Sequence, residues 1–245
     1  MTTTAIEWAD KVWNPVIGCA PISEGCARCY ARPFARRLAG AGVQGYERVK
    51  EWDGRAELVA KRLDEPGRWR KPAAIFVCSM ADLFGDGVLH VWRDHVWRVM
   101  AAAERHRFLV LTKRPGSMRK YLENRDPLPN VWLGVSVENQ ARADERIPVL
   151  LTVPAAGHFV SYEPALGAVD FRPWLPGPMA ATFGGGRLGW LIAGAETGQK
   201  ARRADPDWFH DARRVCDRAG VPFFFKKDSD GRGDLGGVVY HARPW

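Results

Sequence analysis

The feature that most constrains this chain is a repeat of short apolar runs, each followed by polar or charged residues and then by a helical stretch. The runs lie at Pro72–Asp82, Phe108–Arg114, Asn130–Glu138, His158–Glu163, Trp190–Glu196 and Val221–Phe225. They are apolar on both faces, as strands of a parallel sheet covered by helices must be. Helical spacing occupies the intervals between them, at 88–105, 116–123, 140–151 and 207–219, with Asn139 placed to cap the third helix. With a short first strand expected near Val16–Gly18, the fold class is α/β. A partial (β/α) barrel of about six to seven mostly parallel strands fits best, and a doubly wound sheet is the runner-up. A chain of 245 residues can bury one such core, so 1–245 is read as one domain.

A second feature is chemical. Three of the five cysteines fall in one Gly- and Pro-rich loop, 13–30, as Cys19, Cys26 and Cys29 with the spacing C-x6-C-x2-C. The helix expected after Cys29 would set its N-terminus beside the thiols and lower their pKa. Three readings of the triad stand open: small buried residues clustered by chance, a structural zinc, or a three-cysteine iron–sulfur cluster. A closed zinc site needs a fourth ligand, and Cys78 or Cys216 would have to reach it from far along the chain. Both are instead read as packing residues. A cluster held by three cysteines leaves one iron open to another ligand.

Composition narrows the setting. The hydrophobic fraction of 46% and charged fraction of 26% are those of a globular protein. No basic-then-apolar signal segment opens the sequence, and no apolar run approaches ~20 residues, so a cytoplasmic protein with no membrane role is expected. Five cysteines in such a compartment argue for free thiols and a metal site. The net charge of +8 makes an acidic partner, nucleic acid first, an expectation. Residues 55–63 suit a short amphipathic helix, and the Pro- and Gly-rich excursion 164–189 is long enough for a functional loop or lid. Gly184–Gly189 matches G-x-G-x-x-G but is preceded by a loop and followed by a strand, which argues against a dinucleotide site.

The opening motif, Trp13-Asn-Pro-Val-Ile-Gly-Cys19 with Gly25-Cys26-Ala-Arg-Cys29-Tyr30, resembles the three-Cys-motif phage protein family. Further matches are Ser79-Met-Ala-Asp82-Leu-Phe84, Gly134-Val-Ser-Val-Glu138, Ser161-Tyr-Glu-Pro164, Gly194-Ala-Glu-Thr-Gly198 and Pro222-Phe-Phe-Phe-Lys226. That family in turn resembles the radical S-adenosylmethionine (SAM) superfamily, where a three-Cys loop after the first barrel strand holds a [4Fe-4S] cluster. The superfamily's common spacing is C-x3-C-x2-C with an aromatic residue before the last cysteine. Here the first gap is six, and Arg28 precedes Cys29 while Tyr30 follows it.

The resemblance implies reductive cleavage of SAM and hydrogen abstraction from a substrate, with Cys19, Cys26 and Cys29 as cluster ligands. It also implies the cofactor contacts. Ser79 and Asp82 would hold the methionyl group, Ser136 and Glu138 the ribose, and Gly194 and Glu196 the adenine, with Tyr30 beside the cluster. In a βα barrel the site lies at the C-terminal strand ends. There the substrate side would be Glu163 with a basic rim of Lys113, Arg114, Lys200, Arg202, Arg203, Lys226 and Lys227. Such a rim suits DNA or a nucleotide, as in phage-type base modification or lesion reversal in the host cytoplasm. Arg105 and Arg107 precede a strand and belong at the opposite end. The alternative function is a nucleic-acid-binding protein with a structural zinc or inert iron–sulfur centre. His90, His95, His106 and His210 are given no catalytic role.

Overall fold

Strand β1, Lys11–Trp13, begins a sheet that grows only from one edge. In the computed structural model, which describes residues 6–177, 186–198 and 200–245, six more strands follow it. They are β4 Ala74–Val77, β5 Arg107–Thr112, β6 Val131–Val137, β7 Gly157–Tyr162, β8 Leu188–Ala193 and β9 Phe223–Phe225. Every neighbouring pair is parallel, and the order β1-β4-β5-β6-β7-β8-β9 never reverses. A doubly wound sheet needs a point of reversal. This sheet has none and curls instead into an open half-barrel.

Helices α4 His90–Ala102, α5 Pro115–Leu122, α6 Gln140–Leu151 and α7 Pro206–Ala219 fill the connections. Each lies within three residues of its expected boundaries, and the Asn139 side chain accepts from the Arg142 amide as the cap of α6. Among the described residues, no helix is long and apolar enough to cross a membrane.

Period-two alternation splits the strands between two cores. Ile75, Val77, Phe108, Val110, Leu133, Val135, Val160 and Leu191 point outward to the helices. Phe76, Leu109, Phe159, Trp190 and Phe224 point into the barrel, where Trp8 covers them, its ring 4.6 Å from that of Phe76. A one-residue irregularity between His158 and Phe159 keeps β8 in phase with this pattern.

Three expectations change. The first barrel strand is Lys11–Trp13, whereas Val16–Ile17 (β2) pairs antiparallel with Glu57–Leu58 (β3) outside the barrel. The stretch 55–63 is therefore a strand followed by a 3-10 turn at Ala60–Arg62, not a helix. Its edge pairing with β2 satisfies backbone groups that an isolated two-turn helix would leave to water. The described part of the 164–189 excursion is not a lid: Ala165, Val169, Phe171, Trp174 and Leu175 are buried in the helical-side core. Residues 178–185, including the start of the Gly184–Gly189 motif, lie outside the described residues.

The remaining helices, α1 Ala31–Gly40, α2 Tyr46–Val49 and α3 Glu65–Arg68, lie between β1 and β4. The C-terminal tail closes the lower end of the barrel. Tyr240 and Ala242 pair along β9, Arg243 bonds Asp10 at 2.8 Å, and Trp245 packs edge-on to Trp132 and Trp190. Arg107 sits over the Trp245 ring and Arg105 bonds the Trp69 and Gly67 carbonyls, so both lie at the end expected for them.

Candidate functional site

The same alternation that buries Phe76 and Trp190 lifts a set of polar residues to the upper mouth of the barrel. Continuing the inward positions beyond each strand gives Lys113, Ser136, Glu138, Ser161, Glu163, Gly194, Glu196 and Lys226. The sequence reading reached most of these from strand ends alone. The structure adds that they share one face.

Two connected compartments occupy that mouth. One, of about 120 Å³, is lined by Cys19, Cys26 and Cys29 with Ser79, Asp82, Arg114 and Ser136. The other, of about 210 Å³, has Trp8, Phe76 and Leu111 as its floor and Tyr30, Ser161, Glu163, Glu196 and Lys226 as its walls. Cys29, Phe76, Leu111, Lys113 and Ser136 belong to both. Together the compartments reach the lower end of the range for small-molecule sites, about 300 Å³. A wider groove between Ala168–Arg172 and α7 lies on the outer flank, away from the strand ends.

The cysteine loop is fastened over this mouth by ion pairs and hydrogen bonds that sequence reading did not find. Ser23 donates to Glu138 at 2.7 Å. Glu24 accepts from Arg142 at 3.0 and 3.2 Å and from Asn139 at 2.6 Å. Arg202 donates to the Glu24 carbonyl, Arg114 to the Ala20 carbonyl, and Tyr30 to the Ser79 carbonyl. Arg28 reaches both Glu196 and the Lys200 carbonyl. Gly25 lies so close to Glu138 that a Cβ there would stand 2.4 Å from the carboxylate, so only glycine fits. Ser23, Glu24 and Arg28 stand between the cysteines, but Arg142, which holds Glu24, and Arg146, which holds Glu138, sit on α6, where nothing local marks them.

Three carboxylates that sequence reading assigned to cofactor contacts lie within this fastening. Glu138 is fully buried and accepts from Lys113 at 2.5 Å, Ser23 at 2.7 Å and Arg146 at 3.0 Å. Asp82 accepts from Thr112, the Phe84 and Lys113 amides and Arg114. Glu196 is held by the side chain and amide of Arg202. All three hold the frame of the mouth. Ser79, Ser136 and Tyr30 remain at the cavity wall, with the Tyr30 ring half exposed at its edge.

Most of the basic rim is likewise matched by acids. Lys113, Arg114, Arg202, Arg203 and Lys226 each pair with a carboxylate: Glu138, Asp82, Glu196, Asp230 and Glu163 in turn. Among the described residues, Lys200 and Lys227 have no such partner.

Cys19 and Cys29 do not behave as the helix-end argument expects. The amides of Ala31 and Arg32, at the start of α1, do face the Cys29 sulfur, but burial outweighs them and raises its pKa. Burial pushes the Cys19 thiol up to about 11, with nearby Asp82 adding to the shift and Arg114 opposing it. A bound cation would reverse this balance, since its charge is larger than any of these.

Among the described residues, no three His, Cys, Asp or Glu side chains converge as the ligands of one metal ion. The three sulfurs instead stand around one cavity wall. A cubane cluster takes each cysteine on a different iron, so its thiolates stand farther apart than those around a single zinc. Cys19, Cys26 and Cys29, all on this one cavity, are the three donors such a cluster would need. Cys78 also borders this cavity, but it is buried in the helical-side core, and burial, with Asp82 adding to it, pushes its thiol pKa up. Cys216 packs in the core on α7. His106 is buried against the Pro66 carbonyl just before β5, a packing role.

The model of a family described as "Protein of unknown function (DUF5131)" matches residues 3–232, and the chain belongs to that family. No curated protein and no solved structure matches the chain.

Proposed function

We propose that this protein is a radical SAM-type enzyme acting on DNA or a nucleotide, with a [4Fe-4S] cluster held by Cys19, Cys26 and Cys29. One observation carries the reading most. Three thiols spread around a single cavity at the C-terminal ends of a parallel half-barrel, and a second compartment opens directly beside them. Bound there, cluster and SAM would supply reductive cleavage of the sulfonium to a 5′-deoxyadenosyl radical, which takes a hydrogen atom from the substrate.

The chain's own residues have separable tasks. Cys29 stands in both compartments, so what it holds faces the larger one. Ser79, Ser136 and Tyr30 offer hydrogen-bonding groups close to the thiols, and Gly194 leaves the wall free of side-chain bulk. Trp8, Phe76 and Leu111 exclude water from below, which a reactive intermediate requires. Glu138, Asp82 and Glu196 keep the cysteine loop in place. Glu163 and Lys226 face the far wall, the side left for a substrate.

The test is anaerobic purification with iron and sulfide analysis. Wild-type protein should hold about four irons per chain with broad absorbance near ~400 nm, and single changes of Cys19, Cys26 or Cys29 to Ala should abolish both. Cys78→Ala and Cys216→Ala should keep them. Full iron retained after all three triad changes would sink the proposal. Loss on Cys78→Ala would favour a closed four-thiol structural centre instead.

A further inference from the structure

The Glu163–Lys226 pair is placed unlike the other ion pairs of the mouth. The carboxylates of Glu138, Asp82 and Glu196 are buried, at 0%, 9% and 3% side-chain exposure, whereas Glu163 and Lys226 line the open compartment with both partners partly exposed, at 17% and 22%. Lys226 Nζ lies 2.6 Å from Glu163 Oε1, and Ser161 donates to Oε2 at 3.1 Å. The pair is also built in. A Cβ at Gly194 would stand 2.7 Å from Glu163 Oε1 and 3.3 Å from the Lys226 Cβ, so the bare backbone there makes room for both side chains.

Building on the nucleotide-directed reading above, we infer that this pair is a base-recognition subsite for guanine. An ammonium beside a carboxylate presents one strong donor next to two acceptors. The guanine edge is the mirror of that set: O6 accepts, while N1–H and the N2 amino group donate. O6 would accept a hydrogen bond from Lys226, and the two N–H groups would share the Glu163 oxygens without breaking the ion pair. The other bases match less well. Adenine offers one donor and one acceptor on that edge. Cytosine likewise offers a single amino donor to the carboxylate, and thymine turns its second carbonyl oxygen toward it, a contact that repels. The apolar floor of Trp8, Phe76 and Leu111, with Tyr30 at the rim, gives a flat base surfaces to lie against. Lys200 and Lys227, the two rim cations without a carboxylate partner among the described residues, remain for its phosphate.

The experiment is isothermal titration calorimetry of the whole chain with the four 2′-deoxynucleoside monophosphates and with dIMP, at low salt. It is run on protein with and without reconstituted iron. The expected result is dGMP binding about tenfold or more tighter than dAMP, dCMP or dTMP, the discrimination that a good bidentate contact supplies. dIMP, which lacks the N2 amino group, should fall between. Glu163→Gln, which replaces one acceptor by a donor, should reduce the preference to less than about threefold, and Lys226→Met should weaken dGMP and dIMP together. Equal affinity for all bases, preference for dAMP, or no binding of any nucleotide by the wild-type chain would overturn the subsite. Loss of guanine preference alongside intact iron and SAM cleavage refutes the subsite alone. Guanine preference in protein that neither holds iron nor cleaves SAM refutes the enzyme reading and leaves the subsite standing.

Discussion

Replacing Glu138 separates two roles for one residue. A carboxylate that contacts the ribose of a cofactor can be removed with little cost to the folded protein. A carboxylate that holds the cysteine loop cannot. Glu138 is 0% exposed, and its partner Arg146 is 1% exposed; among the described residues Arg146 donates to Glu138 and the Ser136 carbonyl, while its Nε makes no hydrogen bond and stands 3.9 Å from the solvent-facing Glu145 carboxylate. Lys113, at 19% side-chain exposure, can turn to water when the carboxylate goes, but Arg146 cannot. Glu138→Ala therefore strands one buried charge, a loss of about 3–5 kcal/mol. In a chain of 245 residues each kcal/mol lowers the melting temperature by about 2–4 °C, so a fall of roughly 6–20 °C is expected. Glu138→Gln keeps one acceptor oxygen and should fall less. The double change Glu138→Leu with Arg146→Met removes both charges and should recover much of the loss. Thermal unfolding followed by circular dichroism reads all three. A melting temperature for Glu138→Ala within about 2 °C of wild type would refute the anchoring argument.

Two further outcomes follow from the same belt of charges. The Arg142 guanidinium, through its hydrogen bonds, holds the Glu24 carboxyl at about 2, below its ordinary 4.5. A carboxyl depressed on folding contributes stability above its unfolded value and loses it as pH falls through the folded one. The stability advantage of wild type over Glu24→Gln should thus be constant above about pH 5 and vanish as pH approaches 2. An advantage unchanged down to pH 2 would contradict it. In salt titrations of DNA binding, four to six contacts from the rim read from sequence give a slope of roughly −3 to −5 in log K against log salt. Two unpaired lysines give only about −1.4 to −1.8. Lys200→Ala with Lys227→Ala should remove most of that slope, while Arg105→Ala with Arg107→Ala at the far end should not change it. Equal losses from both ends would mean diffuse surface attraction.

The barrel was legible because its signal is local. Each strand is a continuous apolar run, and each ends where a polar residue at the next inward position must meet the cavity. Two errors have one cause. Val16–Ile17 and Glu57–Leu58 are both too short to show a period, and what makes them strands is each other, some forty residues apart. The 164–175 stretch reads as a loop from its prolines and glycines, yet Phe171 and Trp174 pack into the core with Tyr162 beside them. Composition described its backbone and missed its side chains.

The charged residues show the deeper limit. Sequence places a positive rim and several carboxylates at the same end of the barrel, and the plain inference is an anion-binding surface. Which of those charges face a ligand depends on pairing across the chain, between positions such as Arg146 and Glu138 or Arg202 and Glu196. Burial then ranks the pairs. Those with a fully covered carboxylate are committed to holding the cysteine loop, because exposing either member would strand the other. The Glu163–Lys226 pair lies in the open compartment with both members partly in solvent. A ligand can add its own hydrogen bonds there without dismantling the frame. The separation of anchoring charges from available ones follows from exposure, and it leaves Glu163 and Lys226 as the charges of this mouth that a ligand would meet first.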